Sequence, residues 1–138
     1  MSSFSIFDIA GSAMNAQSLR LNLVASNISN ANSVSSSAEA VYKSRQPVFA
    51  AELKNVMNRQ DAASKVQVLG VVENQAPPVM EYAPHHPMAD KAGYIYKSNV
   101  NTVEEMADMM SASRSYQNNV EVLNTAKQMI LQTLKIGQ

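Results

Sequence analysis

Apolar positions fall into helical register at both ends of the chain and into strand register only in short pieces between. From Val103 to Ile136 there is neither Pro nor Gly. Met109, Ser113, Tyr116, Val120, Leu123, Ile130 and Leu134 recur there at helical spacing, with Lys127 the one break in the row. A second row, Val122, Ala126, Met129, Thr133 and Ile136, lies beside it. Alternating steps of three and four put side chains on one helix face, and a row this long reads as a coiled-coil seam. Asn101 and Thr102 are cap residues with Glu104 and Glu105 three positions on, so either register gives a capping box. Gly137 is the expected stop. The helix would be roughly 50 Å long at 1.5 Å per residue. That is too long to hide within one compact core of this size, so an assembly helix is favoured over an ordinary bundle helix.

The N-terminal stretch predicts a second long helix, from Ser5, with Asp8 as its box partner, to about Ala31. Its clearest row is Ala10, Met14, Gln17, Leu21, Val24, Ile28 and Ala31, widened by Phe7, Ala13, Ala16 and Leu23. Asp8 and Arg20 are the only ionised side chains before Glu39. A helix facing water is rarely so uncharged. It therefore packs on the C-terminal helix, and meeting other subunits as well is the competing expectation. Asn27 and Asn30 share a face and can bridge to a neighbouring helix. For Asn30 and Asn32, a helix end running into a polar loop serves equally well.

Between the helices the signals are short. Val34 to Ala40, with three Ser, reads as loop. Val41 and Tyr42 suggest a brief strand that Pro47 interrupts, and Phe49 to Met57 reads as a helical turn or irregular extended chain. Val66 to Val72 is the best strand candidate, with Gly70 marking a bulge or close packing. Val79, Met80 and Tyr82 form another extended piece, Ala83 to Ala92 an exposed loop, and Gly93 to Tyr96 a last short strand. The fold expected is mainly α: two long terminal helices pairing as a coiled-coil-like bundle, with a small irregular middle of short β-strands. The segments are an assembly helix in residues 1–33, the middle in 34–98 and a second assembly helix in 99–138.

Composition narrows the function. The 138 residues carry 11 Lys and Arg against 11 Asp and Glu, a formal net charge of zero. That gives no basic face for nucleic acid and little repulsion against self-association. With no Cys there is no thiolate chemistry. No apolar run reaches a membrane span, and Met1 to Ala16 lacks the basic head and continuous apolar run of a secretory signal, so export would need another route. His85 and His86 are flanked by Pro84 and Pro87 with Asp90 nearby, too few convergent ligands for zinc. No Ser sits in a G-x-S-x-G elbow and no Gly-rich phosphate loop exists. Adjacent Glu104 and Glu105 diverge on a helix, so capping explains them better than acid–base work. No catalytic, cofactor or metal site is expected, and no enzyme.

Both ends resemble the axial proteins of the bacterial flagellum, the rod and hook family. Ser5 to Met14, then Gln17, Arg20 and Leu21, are similar to the family's opening helix, and Ala25-Ser-Asn-Ile-Ser-Asn30 occupies the place of its alanine- and asparagine-rich motif. Tyr42, Arg45, Pro47 and Phe49 resemble the segment after the loop. Gly93 to Asn101 resembles the lead into the last helix, with Ser98 standing where the pattern has Pro. Val103 to Met106, Ser111 to Gln117, Asn119 and Val122 to Lys127 are the most specific part. The resemblance covers roughly the first 50 and last 45 residues. It implies a structural subunit of the proximal rod, stacked helically into a hollow, torque-transmitting shaft across the periplasm. Its implied partners are copies of itself, other rod proteins, the basal adaptor protein FliE, the surrounding P ring and the flagellum's type III export apparatus. That route would account for export without a cleaved signal peptide. The competing class is a soluble helical adaptor or export-associated binding protein.

The assembly interface expected from seams and resemblance together comprises Ala10, Met14, Arg20, Leu21, Val24, Asn27, Ile28 and Asn30 in the first helix. In the last it comprises Met109, Ser113, Arg114, Tyr116, Val120, Leu123, Ala126, Ile130 and Leu134. Arg20 and Arg114 are expected to use their five-donor forks on Asp8, Asp108 or Glu121, against the plainer option of snorkelling to water.

Overall fold

The computed structural model describes residues 3–53 and 64–136. Helix α1 (Ser3–Asn30) and helix α2 (Thr102–Ile136) frame the chain. They pack antiparallel: Asn27, near the end of α1, meets Glu105 near the start of α2. Ile6, near the start of α1, shares a groove with Met129 and Ile130 near the end of α2. Helix α1 begins two residues before the expected Ser5, and Asp8 pairs with Lys65 at 2.9 Å. Asn101 caps α2 by accepting the Val103 N–H at 3.1 Å. Gly137, the expected stop, lies outside the described residues.

The seam between the helices differs from the one the apolar rows suggest. On α2 one row of buried and half-buried positions runs Glu105, Met109, Ala112, Tyr116, Asn119, Leu123, Ala126 and Ile130, in strict alternation of four and three. Met109, Tyr116, Leu123 and Ile130 hold their expected places. Ser113 and Val120 fall to its flank, whereas Val122, Met129 and Leu134 are exposed. Ala112 is fully buried, and Ala10 and Val24 of α1 are buried with Ala126. Small side chains win these places because they let two helix axes approach, with larger neighbours closing over them.

Three of the described strands fall where the sequence signalled them, at 66–72, 79–82 and 93–96. Strands β2 (Arg45–Leu53) and β3 (Ser64–Glu73) form a two-stranded antiparallel sheet. The register shifts between Val48, opposite Gly70, and Phe49, opposite Val68, leaving Leu69 as the extra residue of a bulge beside Gly70. Strands β4 (Val79–Tyr82) and β5 (Tyr94–Lys97) pair with each other, and β1 (Val34–Ser35) completes a three-stranded sheet in the order β1–β5–β4. The expected loop at Val34–Ser35 is thus a strand. The expected strand at Val41–Tyr42 is not one, and the expected turn or irregular piece starts as regular strand at Phe49–Leu53; positions 54 to 57 lie outside the described residues.

Pro47 does not break β2, for a geometric reason. The N–H and C=O of Arg45 both point away from β3, to Asn27. Strand groups repeat every two residues, so the N–H that Pro47 lacks would also point off the sheet, and no ladder bond is lost. Between β4 and β5, Gly93 sits at φ 85° with Tyr82 so close that a Cβ would lie 2.9 Å from its ring. Only Gly satisfies both conditions.

The hairpin lies along α1. Ser12 Oγ donates to the Ile9 carbonyl and accepts the Val66 N–H at 3.1 Å, and Asp8 holds Lys65. The lead into α2 is tied by Asn99, whose Oδ1 accepts the Ser44 N–H at 2.8 Å while its Nδ2 donates to the Asn74 and Ala76 carbonyls. Ser98, in place of the pattern's Pro, donates its N–H to the Ser33 carbonyl. Among the described residues the buried apolar side chains are Ala10, Ala16, Val24, Val41, Ile95, Ala112 and Ala126. No Leu, Phe or Met is among them, so a single copy encloses only a slender core.

Candidate assembly interface

Asn27 is the point where three parts of the chain meet. It is 1% exposed. Its Nδ2 donates to the Arg45 carbonyl and to Glu105 Oε1, both at 2.9 Å. Its Oδ1 accepts the Arg45 N–H and the Tyr42 hydroxyl, both at 2.9 Å. Two donors and two acceptor positions are thereby all used. The two bonds to Arg45 let one amide stand in for the strand that β2 lacks on that edge. Asn30, expected on the same bridging face, instead donates to the Ser26 carbonyl in its own helix at 2.8 Å.

Glu105 is no capping residue. Capping falls to Asn101, and Glu105 turns inward, 7% exposed, onto Asn27. Burial pushes its carboxyl above the ordinary 4.5; the Asn27 bond opposes that, Asp108 and Glu104 add to it and Arg20 opposes it. Beside it Arg20 Nη2 donates to Asp108 Oδ1 at 2.8 Å, joining the helices a second time. Asp108 was one of three expected partners. Arg45 stacks on Tyr42, 5.6 Å from the ring centroid, and pairs with Glu73.

Of the residues expected at an interface, Ala10, Val24, Asn27 and Ala126 are buried within the chain. Met14, Arg20, Leu21, Ile28, Asn30, Met109, Ser113, Tyr116, Val120, Leu123 and Ile130 are half-buried, and Arg114 and Leu134 are exposed. Arg20 has its interhelix contact; Arg114 has no ion pair or hydrogen bond with a described residue. Sequence reasoning missed the inward turn of Glu105 and the roles of Ser12 and Asn99. A signal for Glu105 existed, because it falls seven residues before Ala112 and so on the same face.

The outer side of α2 carries apolar side chains with nothing over them. Val103, Met106 and Met110 form one exposed group, with Val103 76% exposed, and Val122 and Met129, seven residues apart, another. Beside the second group lies an open groove of about 490 Å³, lined by Ile6 of α1 and by Val122, Ala126, Met129 and Ile130 of α2. Contiguous exposed apolar surface of this kind marks a contact with another molecule. No group of three or more His, Cys, Asp or Glu that could hold a metal occurs among the described residues. Nor is any described helix long and apolar enough to cross a membrane. His86 accepts the Met88 N–H through Nδ1 within its own loop.

Comparison with known proteins follows the same division. Residues 7–35 match the family described as flagella basal body rod protein, and residues 91–136 match the C-terminal part of the flagellar basal body rod FlgEFG proteins. Over 138 residues the chain is 49% identical to the flagellar basal-body rod protein FlgC of Salmonella typhimurium, covering 100% of both chains. It is 50% identical over 139 residues to that of Escherichia coli O157:H7, again covering 100% of both. A more distant relative, FlgC of Borreliella burgdorferi, is 32% identical over 151 residues, covering 100% of this chain and 99% of its own.

Proposed function

This chain belongs to the FlgC family of flagellar basal-body rod proteins, and from that premise we propose that it stacks helically with other rod proteins into a hollow, torque-transmitting shaft. It is a structural subunit of the basal body and not an enzyme. Residues 1–33 and 99–138 act as the assembly segments, and residues 34–98 pack outward from them. The proposed neighbours are copies of itself, other rod proteins, FliE at the base and the P ring around the shaft. The proposed route across the inner membrane is the flagellum's own type III export apparatus, which places the subunit in the periplasmic part of the rod.

One observation carries this reading: the outer face of α2. A chain meant to stay monomeric would not leave Val103, Met106, Met110, Val122 and Met129 uncovered along a helix that already satisfies its inner seam. Stacked subunits cover such faces with their neighbours. The test is replacement of the chromosomal gene by a tagged copy, followed by isolation of basal bodies. The subunit is expected in the rod, and its deletion is expected to abolish both rod and swimming. Swimming cells without the subunit, or a subunit found only free in the periplasm, would overturn the proposal.

A further inference from the structure

We propose that the free edge of β4 takes an extended segment of a different polypeptide as a fourth strand, with an aliphatic, basic, aliphatic triplet lying against Met80, Glu81 and Tyr82. The inference adds a partner surface to the rod-subunit reading, and the surface lies outside residues 1–33 and 99–138. Strand β4 is an edge, hydrogen-bonded to β5 alone. The Ala83 N–H donates to the Gly93 carbonyl at 2.9 Å, so position 83 turns toward β5. Tyr94, opposite Tyr82, sends its own N–H and C=O the other way, to Asp90. Backbone direction alternates along a strand, so Val79 and Glu81 bond to β5 while Met80 and Tyr82 turn their N–H and C=O to the open edge. No hydrogen bond meets them there among the described residues. Pro78 and Pro84 share that parity, and the N–H each lacks would also point outward. The edge thus offers two residues for pairing and stops at both ends.

Proline at an edge protects against open-ended pairing, and full protection would add repelling charge between the prolines. Strand β4 does the opposite. Met80 and Tyr82 are each 64% exposed on one face, where Tyr82 meets Tyr94 edge-on with ring centroids 5.2 Å apart. On the other face Glu81, the one charged residue of β4, is paired through Oε2 with Lys97, and its Oε1 has no partner among the described residues. A strand laid antiparallel here exchanges two bonds with Met80 and two with Tyr82. Residues opposite each other share a face. The incoming first and third side chains therefore lie beside Met80 and Tyr82 and are best aliphatic, and the second lies beside Glu81 and is best basic. The edges of β2 and β3 are already held by α1, at Asn27 and Ser12. A second copy of β4 is the weaker occupant. The register that uses every open group sets Glu81 against Glu81, and the two-fold contact closes on itself.

The test uses the full purified chain and the end-blocked peptide Thr-Val-Lys-Val-Thr as probe. Amide exchange at Met80 and Tyr82 is expected to slow as the peptide binds, while Glu81, bonded to β5, is slow from the start. Methylating the backbone nitrogens of both Val residues should abolish binding, and methylating that of Lys should not. The Val-Glu-Val version should bind about threefold more weakly or worse. Met80→Pro removes an outward N–H and leaves the β5 ladder whole, so it should melt with the wild type yet lose the peptide. In cells the same variant should enter the rod but give a smaller swimming halo. Failure of the plain peptide to bind, or equal binding after methylation of both Val, would overturn the proposal. A full-size halo for Met80→Pro would do the same. So would linked dimers from Glu81→Cys in oxidised basal bodies, which would assign the edge to a second copy; the chain has no Cys of its own to confuse that result. Each of these failures leaves the rod-subunit reading intact, whereas absence of the wild-type chain from isolated rods would overturn that reading and the swimming arm with it.

Discussion

Asn27 and Glu105 are chemically a poor pair to bury, and the structure keeps them because each satisfies the other. Removing the carboxylate by Glu105→Ala leaves a buried Nδ2 proton without an acceptor, which costs about 1–3 kcal/mol. Glu105→Gln keeps the Oε1 acceptor and removes the charge, so it should be at least as stable as wild type near neutral pH. Between the ordinary 4.5 and its raised value, Glu105 holds in the folded chain a proton that the unfolded chain has released. Stability contributed by this group therefore falls as pH rises through that window and returns as pH falls through it. Urea midpoints measured from pH 4 to 7 should show a wild-type decline that Glu105→Gln lacks; parallel curves for the two would contradict the assignment. Arg20 is a smaller matter. Both it and Asp108 are about a third exposed, at 31% and 40% of their side chains, so solvent screens the pair. Arg20→Ala should cost no more than about 1 kcal/mol, well under the 3–5 kcal/mol of a broken buried pair. Denaturation in high salt should narrow even that difference.

At the scale of elements, α2 is longer than its support. It has 35 residues against 28 for α1, and every side chain from Leu131 to Lys135 is exposed. An unsupported helix end has little beyond its own hydrogen bonds to hold it. Amides of residues 131 to 135 should exchange rapidly in the free subunit and slow markedly in the assembled rod; equal protection in both states would show that nothing packs there. Leu123 lies in the seam, half-buried between Asn119 and Ala126. Leu123→Asp puts a carboxylate with no partner into the contact between α1 and α2, at a cost of several kcal/mol. The expected phenotype is a subunit that the cell makes in normal amount yet that is absent from the rod, because the substitution acts on the packed pair of α1 and α2. Normal incorporation of this variant would contradict the seam.

For the whole molecule, the thin core and the uncovered outer face belong together. Buried apolar groups are mostly Ala and Val, so one copy gains little from its own packing. Ties between parts are largely polar: Asn27 to Arg45 and Glu105, Ser12 to Val66, Asn99 to three loop backbones. Such bonds set geometry more than they supply net stability, since each exchanges for a bond to water. The subunit's shape is specified by polar contacts, and in the proposed assembly neighbours add to its stability. Thermal unfolding of the free subunit should therefore be low and broad, and the same chain in intact rods should resist unfolding to distinctly higher temperature.

By itself the sequence determined the two helices and the strands at β3, β4 and β5. Long runs without Pro or Gly, Asn101 as a cap and β-branched runs act through neighbours close along the chain. It also determined the family, because the end motifs are read as strings. What only the tertiary structure decided was which way each element turns. Helix α2 carries apolar side chains on several rows, so periodicity alone could not say which row meets α1. Ala112 and Ala126 settled it by allowing close approach, and Val122 and Met129 were left outside. Glu105 read as a cap because its partner, Asn27, lies 78 residues away. Pro47 read as a break because its harmless edge exists only once α1 lies beside β2. Local preference sets what an element is; the choice of face and partner depends on distances that close only when the chain folds.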